Sequence, residues 1–556
     1  IRLSLVGSEM CIRDSFSDPS VSKKYIRING SLLADTTLGP DPLATGTSVW
    51  RVTSDITVPA GVTLTVTDDA ILKFDLNRIL SVDGTLRVTN GAGGPAIFTS
   101  IKDDVLGDTD GVVATPARGD WSYINPRNNS TIAIDGAIIR YMDYGLLQQS
   151  NPASVSIANS TITEFTQRGL YLDSAGTITY NLTNTTISNG TSGDGLFVFA
   201  NTGDAVTLNI SGLTVNATGN NTSSHGINLD INGNATLTGT LSNITLSNIS
   251  GTGILLDDTS NGVVNPVFSG ITINGTIGVH GMQLIGDATT TPTINASVAA
   301  NNINAGIYNL TLQGVGGSYS NLNLANATSA SILFSNAASP LSWTDATIVL
   351  ANAPSPLHLR TGLPASVGVL GTVDRGYNLA LSTSVSQKYI EIGSVLSDTT
   401  LIADPLNTGT SVWRVTSDIS VPAGVTLTVT DDAILKFDLN RILSVDGTLR
   451  VTNGAGGPAI FTSIKDDVLG DTDGVVATPV RGDWSYINPR NNSTIAIDGA
   501  IIRYMDYGLL QQSNPASVSV TNSTFTEFSQ VGLYLDSAGT ITYNLTNTTI
   551  LSLIHI

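Results

Sequence analysis

Short apolar runs alternate with polar residues along almost the whole chain, and Gly, Asn, Asp and Ser bound them. Stretches such as "TLTVT", "AIIRYM", "STITEF", "NTTISN" and "NITLSN" carry three to five residues of period-two alternation. This is the signature of strands and turns, and hardly any stretch shows a helical period. A second regularity lies on top of it. Glycine followed by an alternating apolar pair recurs as "GLLQQ" at Gly145, "GLYLD" at Gly169, "GLFVF" at Gly195 and "GINLD" at Gly226. It continues as "GILLD" at Gly253, "GMQLI" at Gly281 and "GIYNL" at Gly306, with spacings between 24 and 31 residues. Each period has room for at least two strands, which fits one coil of a parallel β-solenoid. Inward positions of successive coils then form apolar columns that a lone coil cannot bury. Glycine is expected at the corners because it tolerates positive φ, and Asn can do the same. A β-sandwich is the competing reading, but no tight Asn-Gly hairpin framework is present.

A much longer repeat contains these coils. The segment 41–187 returns at 404–550, an offset of 363 residues, with 8 differences in 147 positions. They are Ala44/Asn407, Thr57/Ser420, Ala117/Val480, Ile157/Val520, Ala158/Thr521, Ile162/Phe525, Thr166/Ser529 and Arg168/Val531. The predicted organisation is one unit over 16–350, a spacer over 351–383 with Pro354, Pro356 and Pro364, and a truncated second unit over 384–550.

Composition narrows the function classes. The chain of 556 residues has a formal net charge of −19, with only 12% charged and 41% hydrophobic residues. The apolar content supplies a core, and the acidic balance argues against nucleic acid, which needs clustered Lys and Arg. No apolar run reaches the roughly 20 residues needed to span a bilayer.

The least periodic part of the unit is the most specific. "WRVTSDITVPAGVTLTVTDDAILKF", "LSVDGTLRVTNGAGGPAIFTSIKDDVLGDTDG" and "RGDWSYI" cover Trp50–Ile124 and return at Trp413–Ile487. This stretch resembles large prokaryotic (bacterial or archaeal) surface proteins with right-handed parallel β-helix, pectin-lyase-like repeats. The resemblance implies a right-handed helix and a secreted or cell-surface location.

Two groups of residues carry candidate chemistry. "KDDVLGDTDG" gathers Asp103, Asp104, Asp108 and Asp110, and the second copy gathers Asp466, Asp467, Asp471 and Asp473. Four carboxylates on one Gly-containing loop call for a cation, and calcium suits flexible oxygen sites, although the Glu of an EF-hand is missing. Ca2+ is therefore an expected ligand. The coil register supplies the second group. The fourth residue after the corner glycine is Asp173, Phe199, Asp230, Asp257, Ile285 and Leu310 in successive coils. Asp230 and Asp257 should then stack as neighbours, the arrangement of an acid pair in a glycosidase. His225 precedes a corner glycine near the same edge. No motif of a polygalacturonase or pectate lyase accompanies them, and solvated strand-end acids account for the same pattern.

The expected function is a non-catalytic structural or adhesive module that binds glycans or a host or neighbouring cell surface multivalently. The alternative is a polysaccharide lyase or glycoside hydrolase with Asp230, Asp257 and His225 as its candidates. Asn-x-Ser/Thr triplets read as turn and strand composition rather than glycosylation sites, and no flat Thr column supports ice binding.

The ends depart from this style. DNA encoding "MCIRD" has a reverse complement that reads through "LSLIH", and that duplex resembles a transposase end used in sequencing adapters. Residues 1–15 and 551–556 are accordingly expected to be translated adapter, with Cys11 and His555 lying outside the protein proper.

Overall fold

The computed structural model describes residues 4–5 and 24–551, except 45, 109, 175, 287–289, 303–307, 314, 316, 326–329, 336–340, 344–346, 352–354, 362–377, 382–388, 396–397, 405–411, 472–474, 491 and 537–540. Most of 1–15, all of 552–556 and Asp473 thus lie outside the described residues. Two compact units emerge, 1–304 and 305–556. Both are all-β, and among the described residues the only helices are the short 3-10 turns Asp104–Leu106 and Asp467–Leu469. Among the described residues no helix is long and apolar enough to cross a membrane.

The fold is a parallel β-solenoid with the architecture of a right-handed parallel β-helix. Each full coil carries three strands, for example Arg168–Asp173, Thr177–Thr183 and Thr186–Ser188. Every one of these pairs in parallel with the third strand further along, so three sheets grow side by side. The next coil, Leu196–Ala200, Ala205–Ser211 and Thr214–Asn216, repeats the pattern onto Ile227–Ile231, Thr236–Ser242 and Thr245–Ile249. The runs "STITEF", "NTTISN" and "NITLSN" hold the third strand of successive coils, and a middle strand such as Thr177–Thr183 lies between each of them and the preceding glycine strand. The second unit builds the same ladders, such as Thr448–Val451, Thr494–Asp498, Ser517–Thr521 and Thr542–Thr546. Strands Ser355–Thr361 and Asn378–Leu381 also occur within the stretch read as a spacer.

Alternation sends every second side chain inward. Leu146, Leu170, Leu196, Ile227, Ile254 and Met282 form one fully buried column, and Leu172, Val198, Leu229, Leu256 and Leu284 form another. Buried apolar area of this kind is the main stabilising term. One polar residue, Gln148, enters the second column and is satisfied there. Its amide donates to the Asp173 carbonyl at 3.0 Å, and it accepts from the Tyr180 hydroxyl at 3.0 Å.

The corner glycines act by a different physical route from the one expected. Left-handed backbone falls instead on Asn159, Asn184, Asn189, Asn243 and Asn248, with Gly136, Gly212 and Gly270 taking equivalent places. Gly145, Gly169, Gly195, Gly226 and Gly253 are absent from that set. A Cβ on Gly169 would lie 2.4 Å from Ile187 Cγ2 and 2.5 Å from the Gly195 carbonyl oxygen of the next coil. Glycine is required here by close stacking rather than by positive φ.

Candidate functional site

The first sheet of unit 1 presents an outward strip over strands Tyr144–Gln148, Arg168–Asp173, Leu196–Ala200, Ile227–Ile231, Ile254–Asp258 and Met282–Ile285. Period-two alternation gives it parallel columns. The middle column runs Leu147, Tyr171, Phe197, Asn228, Leu255, Gln283. The outer one runs Asp173, Phe199, Asp230, Asp257, Ile285. A third, just before the corner glycines, holds Tyr144, Arg168, Asp194, His225, Thr252 and His280.

Aromatic side chains cluster at one end of this strip. Tyr123, Tyr144 and Tyr171 meet edge to face, with centroids 6.1 and 6.2 Å apart. Tyr171 and Phe197 follow at 5.1 Å, and Phe197 and Phe199 lie nearly parallel at 6.3 Å. Arg168 extends across them, its guanidinium carbon 5.1 Å from the Tyr171 centroid and 4.2 Å from that of Phe197. This is cation–π geometry. Its Nε also meets the buried Asp194 carboxylate at 3.1 Å. Asp194 in turn accepts the His225 backbone N–H at 2.7 Å.

Asp230 and Asp257 lie toward the other end, while Asp173 sits among the aromatic residues beside Phe199. The register sets Asp230 beside Asp257, as the glycine offsets predict. Their backbones are one strand separation, about 4.8 Å, apart. Burial raises the pKa of Asp173, Asp230 and Asp257 above the ordinary carboxylate value. For Asp257 the negative charges of Asp230 and Asp258 add to that rise. Asp230 also accepts from the Asn232 amide at 2.6 Å. His225 lies on the same strip but in the third column, two columns away from the acid pair. Its Nδ1 accepts the Thr252 backbone N–H at 3.0 Å, and burial lowers its pKa. Burial lowers that of His280 to about 4.

Residue spacing points to the acids and His225 and misses the aromatic column and Arg168. The signal is nevertheless present: "GLYLD" and "GLFVF" put Tyr171 and Phe197 at the same offset from their glycines.

The acidic loop is built differently from the strip. Lys73, fully buried, reaches into it and donates to the carbonyl oxygens of Asp103 at 2.9 Å and Gly107 at 2.6 Å. Burial lowers the Lys73 pKa, while Asp103, Asp104, Asp110 and Asp108 all pull it back up. Arg140 meets the buried Asp103 carboxylate at 2.5 Å. Asp104 accepts the Ala114 N–H at 2.8 Å, Asp108 that of Gly111 at 2.6 Å and Asp110 that of Val112 at 2.9 Å. In the second copy Lys436 meets the Gly470 carbonyl at 2.6 Å, and Arg503 meets Asp466 at 2.6 Å. Asp467 accepts the Ala477 N–H at 2.7 Å, and Asp471 is exposed. One buried oxygen on each of Asp103 and Asp104, repeated on Asp466 and Asp467, has no hydrogen-bond partner. Among the described residues no group of three or more His, Cys, Asp or Glu side chains is placed to hold a metal ion.

No family model matches this sequence. No curated protein matches it either. Among solved structures, a tailspike protein double mutant of E. coli bacteriophage HK620 aligns at 12% identity over 90% of this chain and 72% of its own, with a TM-score of 0.18. A superposition that loose carries no argument about ligand or activity.

Proposed function

We propose that the chain is a repeat module of a large secreted or cell-surface protein, prokaryotic in origin, that binds glycans without transforming them. The observation that supports this reading is the outward strip of unit 1. Aromatic rings offer flat apolar faces to the C–H side of a pyranose, and the neighbouring carboxylates and Asn228 offer hydrogen-bond acceptors to its hydroxyls. Ligand sites combine these two components, apolar surface for affinity and a few polar groups for orientation. Tandem copies of such a module raise avidity by raising effective concentration.

In this reading the acidic loop is a clamp held by Lys73 and Arg140 rather than a calcium centre. The test of binding is direct. Immobilised neutral oligosaccharides should retain the protein, and Tyr171→Ala or Phe199→Ala should weaken retention by about fivefold or more, the loss typical of an aromatic anchor. An unchanged circular dichroism spectrum would establish that the fold survives. Binding that ignores both substitutions would sink the proposal.

A polysaccharide hydrolase is the second reading, favoured by the in-register Asp230 and Asp257 and their raised proton affinity. The same incubations decide it. Release of shorter products that disappears in Asp230→Asn would replace binding by catalysis.

A further inference from the structure

We infer that the outward strip of unit 1 selects glycans that carry no acidic groups, an inference that rests on the glycan-binding reading above. Its basis is an inventory of charge. From residue 141 to residue 359 the sequence holds ten Asp and Glu but a single Lys or Arg, which is Arg168. That one cation is committed. Its Nε is 3.1 Å from Asp194, a carboxylate with a side chain only 1% exposed, and its guanidinium lies over Tyr171 and Phe197. Burial disfavours the charged form of both histidines on the strip, and His225 uses Nδ1 to accept the Thr252 N–H.

Opposite them stand Asp173, Asp230 and Asp257, half-buried in one column. Among the described residues none of the three has a salt bridge. A uronate or sulfated sugar laid along the aromatic rings would bring its charge beside these carboxylates with no free cation to offset it. A neutral pyranose meets the same carboxylates as a donor, each hydroxyl giving a hydrogen bond to an ionised acceptor, the stronger class of such bonds. Sugar charge is therefore read by repulsion, a discrimination that needs no contact specific to the rejected ligand.

The experiment uses the whole chain and matched oligosaccharides of one linkage and length, one neutral and one with its C6 positions oxidised to uronate. Binding is measured by calorimetry at low and high salt. The neutral sugar should bind at least about tenfold more tightly at low salt, because like charges placed together are strongly disfavoured. The gap should narrow at high salt, where exposed charges are screened. It should narrow again in the double variant Asp230→Asn, Asp257→Asn. If that variant fails to fold, the salt series on the unaltered chain still decides. Equal or tighter binding of the uronate overturns the charge inference while leaving glycan binding intact. Failure of both sugars to bind overturns the glycan-binding reading itself.

Discussion

The same sequence occupies two places in this chain, one followed by a further described coil and one not. Strand Thr177–Thr183 and its follower Thr186–Ser188 bury Tyr180, Leu182 and Ile187 to 1% exposure or less. The matching residues of the second copy, Tyr543, Leu545 and Ile550, are 36%, 47% and 45% exposed. Backbone pairing does not explain the difference, since Thr542–Thr546 pairs with Ser517–Thr521 in full register. What differs is the coil on the other side. Thr177–Thr183 is covered by Ala205–Ser211, whereas no described strand covers Thr542–Thr546. A coil supplies half of its own core, and the next coil supplies the rest.

Earlier coils make the complementary point, because there the two copies agree closely. Phe74 stacks on Trp121 with centroids 4.3 Å apart and planes at 14°, and Phe437 stacks on Trp484 with the same values. Lys102 meets Asp120 at 2.6 Å, and Lys465 meets Asp483 at 2.7 Å. Where both neighbours are present, identical sequence yields identical packing.

This comparison is open to attack in order of expected effect. Leu182→Ala should cost about 2–5 kcal/mol, the range for emptying a packed core site, while Leu545→Ala should cost well under half as much. Urea midpoints measure both, and equal losses would refute the claim that the covering coil makes the core.

Gly169→Ala comes next. Its methyl would press on Ile187 and on the Gly195 carbonyl, which is backbone and cannot turn aside, so about 1–3 kcal/mol is expected. Gly532→Ala meets only side-chain atoms of Ile550 and Phe528 within the same range, and should cost less. Thermal unfolding of the two variants side by side ranks them. A larger loss at Gly532 would contradict the stacking account of these glycines.

The smallest expected effect concerns the loops that both copies share. Because Lys73 and Lys436 already donate to loop carbonyls, and Arg140 and Arg503 already pair with Asp103 and Asp466, adding calcium or a chelator should leave the unfolding midpoint where it is. A calcium-dependent rise would support the metal reading, with Asp103 and Asp104 as its first ligands.

Much of the fold is legible along the chain, for a local reason. Alternation marks a strand because a side chain's face depends only on residue parity. The glycine offsets fix the outward register as well, which is why the pairing of Asp230 with Asp257 follows from residue numbers alone. Other features are hidden because they join residues far apart in sequence. Lys73 reaches a carbonyl 34 residues away, and Arg140 an aspartate 37 residues away. In the sequence the acidic loop shows only its own carboxylates, whereas the fold also brings Lys73 and Arg140 to it.

The sequence by itself determined the repeat of 363 residues, the strand-rich class, the stacking of coils and the column that holds Asp173, Asp230 and Asp257. Tertiary structure alone decided that each coil has three strands, that the corner glycines answer to close contact, and that Arg168 lies neutralised across an aromatic shelf. The physical reason is the same throughout. Period and parity are carried by neighbours in the chain, whereas packing and charge compensation are set by whichever residues the turning of the coils brings together.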